Sequence, residues 1–237
     1  MRQSPSPSLT ALIALSLVIP FSGCAKDESG TIASLKSLSV LVVPDANGRA
    51  TTINNLPKDP AKLTEAINLI GELGAVKSVT ALAGTPMADE HLATLGRVKS
   101  LVQLEINGGD ITDAGSSSLT GLRNLESLTL ADTAVTESSM ASFAKLPKLN
   151  MLNLNGTKVA GGYDSLSSLK NLQWLLLGGL KISDADATTI SQYPAVSHVT
   201  LNGKTEISDE AVKKLKSNRN CNVDYADATP FEQPADQ

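Results

Sequence analysis

The sequence predicts an α/β solenoid, a horseshoe of short coils with parallel strands on its concave face and short helices on its convex face. Three observations predict it. Equivalent apolar positions Leu104, Leu128, Leu152, Leu175 and Val199 follow one another at 24, 24, 23 and 24 residues, a register that chance does not hold over five units. Hydrophobic residues make up 41% of the 237-residue chain but aromatic ones only 3%, so the core must be built from Leu, Val, Ile and Ala. A thin layer repeated many times suits that palette better than one large core. Finally, a helix-start signal returns at the same point of the period four times. The net charge of −4 argues against an electrostatic grip on nucleic acid, which needs a basic face.

The chain opens with a leader. Arg2 supplies positive charge, the stretch from Leu9 to Phe21 is apolar, and Ser22-Gly23 are small residues before a cleavage point, so residues 1–23 read as a signal peptide. The apolar part is shorter than the roughly 20 residues a membrane span needs. Phe21-Ser22-Gly23-Cys24 resembles the lipobox of bacterial lipoproteins, with Phe21 where that family usually has Leu. The resemblance implies acylation of Cys24 as the new N-terminus. It places the protein outside the cytoplasm, lipid-anchored to a bacterial membrane, with residues 24–34 as lipidated cysteine and tether. The alternative is an ordinary secreted protein cleaved nearby, with Cys24 incidental. With Cys24 acylated, Cys221 has no partner in the chain. A small buried hydrophobe is the better reading for it than a reactive thiol, since only Arg219 lies close in sequence.

Residues 35–75 read as an N-terminal capping region. Leu38, Leu41 and Val43 mark a first strand, and the stretch from Asp45 to Thr52, with Asn47-Gly48 inside it, a turn or short hairpin. Asp59-Pro60 then opens a helix, Asp as N-cap and Pro at the first helical position, with Gly74 just past its end. Leu63, Ala66, Ile67, Ile70 and Leu73 give that helix one apolar face.

Residues 76–225 hold the repeats. One unit reads Leu92, Leu95, Val98, Leu101, Leu104, Ile106, and another Met140, Phe143, Leu146, Leu149, Leu152, Leu154. The first positions, three apart, fit one side of a short helix; the last alternate as in a strand. In one unit Ser116 stands where the ladder expects an apolar residue. Helix starts follow at Ile111-Thr112-Asp113, Val135-Thr136-Glu137, Ile182-Ser183-Asp184 and Ile207-Ser208-Asp209. The hydroxyl caps free N–H groups and the acid complements the helix dipole. Each acid belongs to a different coil, so they form no catalytic cluster.

This pattern, Leu-x-x-Leu-x-x-Leu-x-Leu followed by a Thr/Ser-Asp helix start, resembles leucine-rich repeats. It is most similar to the bacterial variety in which the turn leads into Thr-Asp-Ala-Gly, as at Thr112-Asp113-Ala114-Gly115. Val159-Ala160-Gly161-Gly162 lacks both cap and acid, so its helix start should be weaker. The likeness is specific for fold and unspecific for ligand. Cys221-Asn222-Val223 reads as a last strand, and residues 226–237 as a flexible tail.

In such a solenoid the strand leucines point inward and the residues between them face the ligand. One outward ladder is Gln103, Ser127, Met151, Trp174, His198, and the next Glu105, Thr129, Asn153, Leu176, Thr200. Met151, Trp174 and Leu176 form an apolar cluster flanked by Asn153, His198 and Thr200, and Trp174 is the chain's sole tryptophan. Burying such a ring is worth at most roughly 4–6 kcal/mol. The cluster meets a partner, is covered by the chain's own tail through Phe231, or has no role. His91, early in a helix, is expected to be exposed, and neither it nor His198 has a Cys or His at metal spacing. With no nucleophile elbow, phosphate loop or zinc motif, no cofactor is implied and no catalysis expected. Two function classes follow. One is a non-catalytic, membrane-anchored binding module for a protein, peptide or glycan at the cell envelope. The other is a structural element of the envelope that self-associates. The sequence says nothing of oligomeric state.

Overall fold

The computed structural model describes residues 28–201 and 207–217 together with the backbone of 222–224. The leader, Cys24, Cys221 and the tail with Phe231 lie outside the described residues. Helix α1 (Ser29–Ser37) leads into an antiparallel hairpin, β1 (Leu41–Pro44) with β2 (Ala50–Asn54), and then α2 (Pro60–Glu72). From β2 onward every strand pairs in parallel with the next: β3 (Ser78–Ala81), β4 (Gln103–Asn107), β5 (Ser127–Ala131), β6 (Met151–Asn153), β7 (Trp174–Leu176), β8 (His198–Thr200) and β9 (Asn222–Asp224). The sheet is open, its strand order that of the chain. Between strands run α3 (Asp89–Leu95), α4 (Asp113–Ser117), α5 (Met140–Phe143), α6 (Asp184–Ser191) and α7 (Asp209–Ser217), with 3₁₀ turns in the second, third and fourth coils. The ladder leucines make one continuous core along the stack.

Two expectations at the N-terminal end are corrected. The tether was expected to reach residue 34, but the chain is helical from Ser29. The reason is anchoring: the buried Glu28 carboxylate accepts from Gly74 N–H at 2.9 Å and Ala50 N–H at 3.2 Å, and Leu35 is fully buried. In β1 it is Val42 that faces the core, as Val40 does just before the strand, while Leu41 and Val43 are 55% and 44% exposed. Pairing decides this, because Val42 sits opposite the buried Ile53 and side chains alternate along a strand.

The helix starts form as expected. Asp59 accepts from Lys62 N–H at 2.9 Å with Pro60 at the first helical position, and Thr112, Thr136, Ser183 and Ser208 all cap with their hydroxyls. Three of the acids do more than face the helix dipole: Asp89, Asp113 and Asp184 reach the next coil. Asp89 accepts from Thr112 N–H (2.8 Å) and Oγ1 (2.6 Å), and Asp113 likewise from Thr136 (2.8 and 2.6 Å). Asp184 accepts from Ser208 N–H at 2.8 Å. Ser116, the polar residue in the apolar ladder, is fully buried, and its hydroxyl lies 2.8 Å from that of the equally buried Ser139, which also donates to Asp113. Burial alone would raise the pKa of Asp113, but the bonds from Ser139 and Thr136 outweigh it and hold the carboxyl below its usual value.

His91 is buried, against expectation. Its Nδ1 accepts from Ala88 N–H at 3.0 Å, so Nε2 carries the proton and faces Thr64 Oγ1 at 3.2 Å. The ring thus supplies the backbone half of a capping box that Ala88 cannot complete.

Candidate functional site

Strand pairing stacks the outward residues into straight rows. Gln103, Ser127, Met151, Trp174 and His198 are register partners in sequence, as are Glu105, Thr129, Asn153, Leu176 and Thr200. The inward leucines between them, such as Leu128, Leu152 and Leu175, are fully buried, and this locks the outward set onto the open face.

Trp174 stands on β7 at 43% exposure. The His198 ring, one strand on, stacks against it with centroids 3.7 Å apart and planes 6° from parallel. Ser197 Oγ lies 2.9 Å from His198 Nδ1 and steadies that ring. Since β6 and β8 flank β7 on opposite sides, the other indole face looks toward Met151. There a cavity of about 530 Å³ opens, lined by Glu126, Ser127, Asn150, Met151, Trp174 and Leu176. That size lies within the range of small-ligand sites and is ample for one large side chain.

Met151, Trp174 and Leu176, predicted as an apolar cluster, are therefore brought together at one cavity. Asn153, His198 and Thr200 are neighbours in the rows but do not line it. Asn153 Oδ1 is engaged by Asn155 N–H at 3.0 Å, a bond within the turn, and His198 acts from behind the indole. The cavity adds Ser127, a member of the outward row, and Glu126 and Asn150, which lie outside both rows. Glu126 and Asn150 directly precede the strand-row residues Ser127 and Met151, a position at which the wall of such a face can be sought. Ser127 Oγ reaches Met151 Sδ at 3.7 Å, so one wall polar group is committed to holding the thioether. Trp174 already buries more than half its surface, so covering the rest is worth about 2 kcal/mol.

Among the described residues no three His, Cys, Asp or Glu side chains gather where they could hold a metal ion, and no helix is long and apolar enough to cross a membrane.

A family model described as leucine rich repeat matches residues 99–159. The chain is also similar to the solved structure of internalin C2 from Listeria monocytogenes, at 19% identity and TM-score 0.57, covering 83% of this chain and 92% of that one. The fold is a leucine-rich-repeat solenoid. A second internalin of the same organism, inlF, is 22% identical with TM-score 0.55 over 68% of this chain. This solenoid spans 44% of that longer chain. No curated protein matches the sequence.

Proposed function

We propose that this solenoid is a non-catalytic docking module whose open strand face binds an extended segment of a partner protein. The observation that carries this reading is the indole of Trp174, held by His198 on one side and open to an apolar cavity on the other. A rigid aromatic anchor beside a preformed cavity is the usual centre of a protein interface. Leucine-rich-repeat and related solenoids use the same extended concave surfaces for recognition. The lipobox-like Phe21-Ser22-Gly23-Cys24 supports placing the module at the cell envelope, attached through acylated Cys24. Crosslinking capture from a native envelope extract tests the reading. Trp174→Ala and Met151→Ala should each leave the fold intact and weaken capture, Trp174→Ala by roughly thirtyfold, the equivalent of about 2 kcal/mol. Undiminished capture by the folded Trp174→Ala protein would overturn it.

A further inference from the structure

One wall of the cavity is charged. The Glu126 side chain is exposed at its rim, while its backbone is engaged on both sides, N–H donating to Val102 O and the carbonyl accepting from Asn150 and Met151 N–H. Among the described residues the ion pairs are Arg49 with Asp45 and His91 with Glu90, so the Glu126 carboxylate has no cationic partner among them. It stands at an apolar floor of Met151, Trp174 and Leu176 with the neutral amide of Asn150 beside it. From Glu126 beside β5 to the indole on β7 is two strand steps, roughly 10 Å.

We propose that this cavity seats an arginine side chain presented by the partner segment, a reading that rests on the docking function above. The arginine's methylene stem lies across Met151 and the open indole face, and its guanidinium reaches Glu126. Long basic side chains bury their stems on apolar surface while keeping the charged head free for an acceptor. Arginine fits better than lysine, because its planar, weakly hydrated guanidinium stacks on an indole and offers a fork of donors to a carboxylate and a neighbouring amide oxygen. An acidic segment is disfavoured by Glu126. The chain's own C-terminal residues 225–237 carry Asp227, Glu232 and Asp236 and no Lys or Arg, so they do not supply the cation.

The sole tryptophan is its own reporter. The full chain is titrated, at fixed ionic strength, with an acetylated and amidated Ala-Arg-Ala peptide and with its citrulline counterpart, which keeps shape and loses charge. The arginine peptide should shift Trp174 emission saturably, and citrulline should bind about tenfold more weakly. Glu126→Gln, an exposed change that leaves the core untouched, should erase that preference. Equal titration by the two peptides, no response to either, or a preference that survives Glu126→Gln would each overturn the arginine seat. The two readings separate in the capture assay: loss with Trp174→Ala but full capture with Glu126→Gln leaves the docking face standing and removes the arginine.

Discussion

His91 is a titratable ring in the core of the first full coil, and its neutrality is part of the fold. Burial lowers its pKa, a shift that the carboxylate of Glu90, 3.9 Å from Nε2, only partly offsets. Protonation must add a proton to Nδ1, which already accepts from Ala88 N–H, so the charged ring loses the bond that starts α3. The sign follows from the depressed folded value. Above the unfolded value of 6.5 both states are neutral and stability is complete; below it the unfolded chain takes up the proton first and stability falls. Urea midpoints should therefore drop between about pH 7.5 and about pH 5.5, and that slope should vanish in His91→Gln. The carboxyl of Asp113, held below its usual 3.8, contributes stability that is lost only as pH falls through its lower folded value, so it leaves this window untouched. A flat profile for the unaltered protein would show that the imidazole is solvated.

At the scale of elements, the fourth coil shows what the Thr/Ser-Asp start accomplishes. Val159-Ala160-Gly161-Gly162 replaces it, and the result is a 3₁₀ helix, Tyr163–Ser168, entered through Gly162 at φ 76° with no side-chain cap. The missing acid has a second consequence one coil later. Ser183 has no carboxylate from the preceding coil to receive its N–H, which bonds instead to Asp186 of its own helix at 3.0 Å, closing a capping box. Asp186→Ala should thus cost about 1 kcal/mol and fray α6, measured as a lowered denaturant midpoint and faster amide exchange at its first turn. An unchanged midpoint would mean that water serves the cap as well. The weak start at Gly161-Gly162, the caps and the strand rows were all legible in sequence, because each is local or fixed by the repeat period. The facing of β1 was not. Val40-Leu41-Val42-Val43 is apolar at every position, so hydrophobicity cannot choose between the alternating sets, and only pairing with Ile53 does. Nor were the bonds from Asp89, Asp113 and Asp184 to the next coil, or the Glu126 wall, since both arise from stacking residues a full period apart. The cluster of Met151, Trp174 and Leu176 was readable because stacking there repeats the same strand position.

Across the whole molecule, stability and recognition divide along the stack. In a solenoid each coil touches only its neighbours, so local stability follows the bonds each coil makes with those beside it. β4 and β5 are five residues long and pair over their full length, whereas β6, β7 and β8 have three residues each. The acid-to-cap links run from Asp89 to Thr112 and from Asp113 to Thr136, lapse across the fourth coil, and resume from Asp184 to Ser208. The cavity spans β5 to β7 and so bridges the firmer half and the looser one. Amide exchange should accordingly be slowest in β4 and β5 and faster in β7 and β8. A ligand seated across the cavity adds contacts between those halves, and its binding energy appears as added protection where opening is local. Saturating the protein with the arginine peptide should slow exchange at residues 174–176 and 198–200 while leaving 103–107 unchanged. Uniform protection along the free solenoid would contradict the division of stability. Slowing confined to β4 would place the ligand on a different part of the face.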